Sequence, residues 1–211
     1  RIYKPGDAQT YVIRAMEDIV MGITASTPVS ERKIITSLVL PAELETLGQS
    51  SFRSEEALTN LVMNCPFLKS ITYCQFTRDI NLRHVELNLP NVVSIDSNWA
   101  FFNVPLTETD ASTWDLSSVT NVGIQTFAAD DQSQMREYSA GRLELPALVS
   151  VDKQAFQGCL AFGEIQIGTA CKTLSRIVES AFDGASVTNL VVGSTSALSV
   201  DENAFRNVNN K

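Results

Sequence analysis

Apolar and polar residues alternate along this chain in short stretches, and the stretches recur with a period longer than that of any helix or strand. Six segments fit the pattern L-x-x-L-x-L, whose alternate aliphatic residues point to the same side of a short strand. They begin at residues 35, 58, 82, 141, 162 and 187. A seventh strand is best placed on Trp114 and Leu116. A proline follows closely at Pro41, Pro90 and Pro146, and it ends the strand because it has no N–H to donate.

Phenylalanine marks the same repeat. Seven of the ten phenylalanines recur at intervals of 23 to 29 residues. They are Phe52, Phe76, Phe101, Phe127, Phe156, Phe182 and Phe205. Aliphatic residues stand five and eight positions before most of them. A fixed period in the twenties with matched aliphatic offsets is typical of a solenoid. Each repeat is therefore predicted to be a strand, a tight corner, a second short extended piece and a turn that carries the phenylalanine.

A complete unit runs from Leu143 to Cys159 and reads L-x-L-P-x-L-x-x-V-x-x-x-A-F-x-x-C. It resembles the BspA-type leucine-rich repeat, and the resemblance covers residues 34–208 in about seven units. The resemblance implies a leucine-rich-repeat solenoid that is β-rich, right-handed and α/β horseshoe-like, with short strands and turns. It also implies a secreted or cell-surface protein of host-associated bacteria that binds partners rather than catalysing a reaction.

Residues 1–33 show no repeat and form a separate N-terminal segment. The solenoid comprises residues 34–211. Apolar residues at positions 12, 16, 19, 20 and 23 follow helical spacing, which predicts a helix over residues 8–22. We expect this helix to cap the first repeat, with a linker over residues 24–33. A membrane-surface helix is the alternative, and it is less favoured because the polar face is not basic.

The charge of the chain excludes several partners. Lys and Arg number 16 against 24 Asp and Glu, giving a net charge of −8. Nucleic acid is therefore not expected, because binding phosphates needs clustered basic residues. No apolar stretch approaches the roughly 18 residues of a membrane span. The chain begins at Arg1 rather than methionine, which suggests a processed or trimmed chain, and the absence of a signal segment from it says nothing about export. Export is what the family resemblance implies, and a lipid anchor on the unprocessed chain stays open.

The residues that usually carry chemistry are sparse. Cys65, Cys74, Cys159 and Cys171 fit no zinc-binding spacing. We favour buried thiols, while disulfides within Cys65/Cys74 and Cys159/Cys171 remain open in an exported protein. His84 is the single histidine, and we interpret it as a surface residue of a strand. We expect no enzyme, metal or cofactor.

A Thr/Ser-rich stretch contains Glu108 and Asp110, with Asp115 just after it. Its oxygens suit calcium in kind, but the spacing fits no known calcium loop. A solvated loop is the favoured interpretation.

The solenoid presents one surface of interest. Residues that flank the middle aliphatic residue of each strand face outward. The candidate binding surface comprises His84, Glu86, Asn88, Asp115, Arg142, Glu144, Glu164 and Gln166, together with Tyr138. Its carboxylates are predicted to form an acidic strip that attracts a basic partner. Ordinary solubility of an acidic protein is the alternative. In the third unit two registers stay open, with either Glu86/Asn88 or His84/Glu86 facing outward.

Two longer intervals, residues 104–113 and 128–141, flank the fourth unit. Insertions in solenoids form loops, often on a binding face, and Tyr138 is the aromatic residue expected to be free there. The predicted function is non-enzymatic binding of a protein or glycan by a secreted or cell-surface module, including adhesion to a host. The alternative is a structural spacer without a ligand of its own.

Overall fold

The computed structural model describes residues 15–16, 35–95, 98–130, 137, 139–170, 174–194 and 197–209. These residues form a parallel β-solenoid, and each turn of it is called a coil, numbered by its phenylalanine from Phe52 to Phe205. A coil typically contributes two short strands. In the described residues the strands are β1 Ala15–Met16, β2 Ser37–Leu40, β3 Thr46–Leu47, β4 Asn60–Asn64, β5 Ser70–Ile71, β6 His84–Asn88, β7 Ser94–Ile95, β8 Asn121–Val122, β9 Gly141–Leu145, β10 Ser150–Val151, β11 Phe162–Ile167, β12 Arg176–Ile177, β13 Asn189–Val192 and β14 Ser199–Val200.

The strands stack into two faces. The longer strands form one face, in two three-stranded sheets ordered β2-β4-β6 and β9-β11-β13. The two-residue strands form the second face, where β5, β7, β8, β10, β12 and β14 make one continuous sheet. Equivalent residues pair across coils in parallel register, as with Leu38, Leu61 and Val85. The solenoid expected from the repeat is confirmed, and the described residues contain no α-helix.

The repeated phenylalanines form one unbroken stack through the core. Neighbouring rings lie with their centroids 5.0 to 5.5 Å apart and their planes within 20° of parallel. The first six rings are buried, and Phe205 at the end of the stack is 40% exposed. Phe67, which lies outside the repeat register, is 57% exposed. The predicted ladder is therefore confirmed ring by ring.

Each stacked phenylalanine lies between two sharp corners of the backbone. The residue two positions before it has a positive φ in all seven coils, at Ser50, Cys74, Trp99, Gln125, Gln154, Ser180 and Asn203. The residue two positions after it has a positive φ in six coils, at Ser54, Arg78, Asn103, Gly158, Gly184 and Asn207. Ala129 of the fourth coil is the exception. These left-handed corners turn the chain around the ring.

The fourth coil lacks the strand expected on Trp114 and Leu116. A 3-10 helix over Ala111–Thr113 takes its place, and only a single bridge, between Asn88 and Asp115, continues the first face. Side chains replace the missing strand: the Val85 N–H donates to Thr109 Oγ1 at 3.0 Å, and Trp114 Nε1–H donates to the Val85 carbonyl at 2.8 Å. Because these bonds satisfy the edge of β6, a full strand is not required.

The helix predicted over residues 8–22 is wrong at Ala15–Met16, the part of that segment that the structure describes. These two residues form β1, which pairs in parallel with β3. The strand β3 offers backbone donors and acceptors along its edge, and an added strand satisfies them whereas a helix does not. The remainder of the predicted helix and the linker over residues 24–33 lie outside the described residues.

Candidate functional site

The strand β6 presents the first part of the candidate surface. Val85 and Leu87 are buried, Glu86 and Asn88 are exposed, and His84 is half-buried. His84 pairs with Asn60 of β4. His84 and Glu86 are thus the outward residues that flank Val85, and Asn88 continues the row at the end of the strand.

His84 is held between two acceptors. Its Nδ1 lies 2.9 Å from the Glu108 carbonyl, and its Nε2 lies 2.8 Å from Glu86 Oε1. Both partners only accept, so only the protonated ring donates to both of them. The Glu108 carbonyl, and after it the Glu86 carboxylate, accordingly raise the pKa of His84 above its ordinary value. Protonation of His84 offsets the charge of Glu86 on this part of the surface.

The strands β9 and β11 carry the other half of the surface. Arg142 is paired with Glu164, and Glu144 with Gln166, in adjacent positions of the sheet. Arg142 makes an ion pair of 2.6 Å with Glu144, and Gln166 Nε2 donates to Glu164 Oε1 at 2.7 Å. Arg142 therefore offsets the charge of Glu144, whereas Gln166, the hydrogen-bond partner of Glu164, is neutral and does not offset the charge of Glu164.

Asp115 lies between these two halves. It bridges to Asn88, and its Oδ1 accepts bonds from the N–H and the hydroxyl of Ser117, at 3.1 and 2.7 Å. Asn88 Nδ2 in turn donates to Asn64 Oδ1 at 2.8 Å. The strand residues and Asp115 thus lie on one face of the solenoid. We call this face the polar strip, and its members are His84, Glu86, Asn88, Asp115, Arg142, Glu144, Glu164 and Gln166. Tyr138 lies outside the described residues.

The two longer intervals are adjacent in space. The Ala111 N–H donates to the Ala140 carbonyl at 2.9 Å. The Asn103 side-chain amide donates to the Asp130 carboxylate, and the Asp130 N–H donates back to Asn103 Oδ1 at 3.0 Å. The described parts of the intervals 104–113 and 128–141 therefore meet beside the fourth coil, as the sequence predicts.

The cysteines that the structure describes are buried thiols. Cys65, Cys74 and Cys159 are free, so the disulfide left open between Cys65 and Cys74 is not formed. Burial raises the pKa of the Cys65 and Cys159 thiols to about 11, which makes both of them poor nucleophiles. Cys171 lies outside the described residues, and Cys159 is not bonded to it.

The Thr/Ser-rich stretch that contains Asp110 has a structural role. Asp110 Oδ1 accepts from the Ser112 N–H at 3.1 Å and from the Ser112 hydroxyl at 2.6 Å, which caps the 3-10 helix. The Ser112 side chain, and after it the Ser112 N–H, lower the pKa of Asp110. Within the described residues no three metal-ligating side chains gather in one place. No helix among them is long and apolar enough to cross a membrane.

A cavity of about 310 Å³ lies at the turns that carry the phenylalanines, and the sequence reasoning missed it. We call it the turn groove. It is lined by Phe102, Gln125, Ala128, Ala129, Asp130, Gln157, Gly158, Asp183 and Gly184. The signal in the sequence is the small residue at the second position after the phenylalanine in the fourth, fifth and sixth coils, at Ala129, Gly158 and Gly184.

A family model described as "BspA type Leucine rich repeat region" matches residues 30–134 and 136–211, in six copies. The chain belongs to the BspA-type leucine-rich repeat family. No curated protein and no solved structure matches the chain.

The BspA-type repeat relates both surfaces to the same pattern. The polar strip occupies the variable positions of the strand segment, and the turn groove occupies the two positions that follow the phenylalanine. Apart from Phe102, which is buried, the residues of the polar strip and of the turn groove at these positions contribute no large apolar side chain to the core. The repeat therefore keeps the solenoid constant while both surfaces vary in chemistry from coil to coil.

Proposed function

We propose that this BspA-type protein is a non-enzymatic, exported module that binds a protein or glycan partner on the polar strip and serves in adhesion to a host surface. The observation that carries this proposal is that β6, Asp115, β9 and β11 share one face of the solenoid, with β9 and β11 in parallel register and Asp115 bridged to Asn88 of β6. Outward side chains of parallel strands recur about every 4.8 Å. Polar groups from successive coils thus make one extended surface on a rigid support, which suits recognition of a large partner.

The chemistry of the strip favours a basic or strongly hydrogen-bonding partner. Glu164 and Asp115 accept only from neutral groups, so their charge acts on an approaching ligand. The chain carries a net charge of −8, which speeds the encounter with a basic partner. The BspA-type family is typically found in surface or secreted proteins, which supports an exported, cell-surface location in a bacterium.

A structural spacer is the second candidate. The unbroken stack of seven phenylalanine rings favours it, because such a continuous core makes a stiff rod. A spacer needs no specific outward chemistry, so the two candidates differ in their response to changes on the polar strip.

The test is an array of extracellular matrix proteins and glycans, probed with the wild type and with the triple variant Glu86→Lys, Glu144→Lys and Glu164→Lys. Asp115 is left unchanged because its carboxylate holds the turn at Ser117. The matched control reverses three exposed acids elsewhere, through Glu43→Lys, Glu45→Lys and Glu202→Lys. Each variant replaces three glutamates by lysines, so the two variants have the same net charge.

Binding by the wild type that falls at least tenfold in the strip variant, and stays in the control, supports the proposal. An equal loss in both variants would mean that net charge alone attracts the partner. Binding that survives in the strip variant would place the partner elsewhere. Absence of binding to every member of the array would favour the spacer.

A further inference from the structure

We propose that the turn groove is a second binding site, and that it holds one neutral sugar ring of a glycan. Such a ligand would serve the binding function proposed above, on which the assignment of a ligand class rests. The groove lies at the turns that carry the phenylalanines, away from the strands of the polar strip. The two surfaces can therefore be tested separately.

The groove forms where the residues at the turns after the phenylalanines have small side chains. The two positions after the phenylalanine carry long basic residues at Arg53, Arg78 and Arg206, toward the ends of the stack. In the fourth, fifth and sixth coils the same positions include Ala128, Ala129, Gly158 and Gly184. At these coils the floor of the groove is backbone and methyl groups. The fourth coil is also the one without a left-handed corner after its phenylalanine.

The polar wall contains one carboxylate whose charge is compensated, Asp183, and one exposed carboxylate, Asp130. Asp183 is 5% exposed, and Arg206 Nε lies 3.2 Å from both of its carboxylate oxygens. The Arg206 guanidinium holds the pKa of Asp183 below its ordinary value, so the group stays ionised but paired. Asp130 accepts from the Asn103 amide. Asp183 therefore attracts a free cation weakly, while the exposed Asp130 can accept hydrogen bonds from the hydroxyl groups of a ligand.

The other end of the groove is aromatic. Phe102 lines it and contacts Trp99, with ring centroids 6.4 Å apart. Trp99 is half-buried, and its Nε1–H donates to Gln125 Oε1, a residue that also lines the groove. Trp99 packs in turn against Tyr73, at 5.9 Å. Aromatic rings bury the C–H face of a ligand, while nearby polar groups orient it.

These features match a sugar ring better than a basic side chain. A sugar has one face of C–H groups, which can pack on the aromatic end, and a rim of hydroxyls, which can form hydrogen bonds with the polar wall. Its hydroxyl groups can donate to Asp130, while Asp183 already has its counterion in Arg206. The volume of about 310 Å³ lies at the lower end of the range for small-ligand pockets, roughly 300–1,000 Å³, which suits a single ring.

The test is a titration of the whole ¹⁵N-labelled chain with neutral sugars, followed by amide and indole chemical shifts. The probes are glucose, galactose, mannose and N-acetylglucosamine, each as the methyl glycoside. We expect at least one of them to move the Trp99 indole and the Gly158 and Gly184 amides together. The double variant Asp130→Ala and Gln157→Ala should weaken that binding at least tenfold. Gln166→Ala, on the polar strip, is the matched control and should leave it unchanged.

Three outcomes overturn the assignment. One is the absence of shifts at the groove with every sugar. Another is a tighter response to the dipeptide acetyl-Lys-Arg-amide than to any sugar, which would make the groove a cation site. The last is undiminished sugar binding in the double variant, provided that its spectrum elsewhere matches the wild type. Array binding by the double variant reports on the polar strip alone, so failure of the groove and failure of the proposed function are distinguishable.

Discussion

At the scale of single residues, the third position after the phenylalanine is apolar in four coils but acidic in the first, second and fourth, at Glu55, Asp79 and Asp130. Asp79 follows Phe76 by three positions and is fully buried, as is Cys159 at the equivalent place after Phe156. Asp79 Oδ1 accepts from the Glu55 N–H at 2.8 Å, while its Oδ2 has no partner. Burial raises the pKa of Asp79 well above its ordinary value, and the nearby Glu55 carboxylate adds to the effect.

This shift predicts how stability depends on pH. The folded pKa of Asp79 lies above the unfolded one, so the native state holds the proton more tightly. Stability is therefore lost as pH rises from the unfolded pKa through the folded pKa. Asp79→Asn keeps an acceptor for the Glu55 N–H but does not ionise. We expect its free energy of unfolding, relative to the wild type, to rise between pH 4 and pH 7 in urea melts. A difference that is constant over this range would contradict the prediction.

At the scale of the element, the fourth coil shows how side chains stand in for a strand. Thr109 is buried, and its Oγ1 accepts from the Val85 N–H and donates to the Arg83 carbonyl at 2.8 Å. Trp114 Nε1–H completes the edge by donating to the Val85 carbonyl. A backbone group left unpaired in this buried place would cost free energy. The two side chains thus permit the insertion over residues 104–113 without loss of the edge of β6.

Thr109→Val tests whether the Thr109 side chain takes the place of a strand beside β6. Valine matches threonine in shape but offers no oxygen, so the Val85 N–H is left unsatisfied. We expect a loss of about 1–3 kcal/mol in the free energy of unfolding, together with faster hydrogen exchange at the Val85 amide. The matched control is Thr120→Val. The Thr120 hydroxyl shares the Val93 carbonyl with the Thr120 N–H, so that carbonyl keeps a partner. An equal loss in both variants would show that Thr109 has no special role.

The sequence predicts the elements whose cause is local and repeated. The phenylalanine stack and the strand segments recur with the period of the coil, so each unit supports the assignment of the others. The helix expected over residues 8–22 is wrong at Ala15–Met16 because pairing with β3, a contact about 30 residues away in sequence, overrides local spacing. The bonds of His84 and the turn groove also depend on neighbouring coils. The groove arises from side chains that are absent, which leaves little signal in any single repeat.

At the scale of the whole molecule, the fourth coil is where strand pairing along the solenoid is reduced. The first face is interrupted there and continues only through the Asn88–Asp115 bridge. The second face continues through β8, a strand of two residues that pairs with β7 and β10. Phe127 completes the junction by stacking on Phe101 and Phe156. In a solenoid each repeat is stabilised chiefly by its neighbours, so this ring carries much of the coupling.

Phe127→Ala should therefore lower the free energy of unfolding and also uncouple the unfolding of the two ends of the solenoid. The variant loses the two stacked contacts and an edge contact with Phe162, and truncation of a buried phenylalanine typically costs about 3–5 kcal/mol. Because the strand pairing of the first face is interrupted at the fourth coil, we expect urea unfolding in two transitions, with separate hydrogen-exchange protection for residues 35–95 and 141–194. Phe76→Ala, beside the intact pair of β4 and β6, should lose similar free energy in one transition. Phe67→Ala, at an exposed ring, should change little. A single transition in Phe127→Ala, with equal loss of protection on both sides, would show that the coupling runs mainly through the second face.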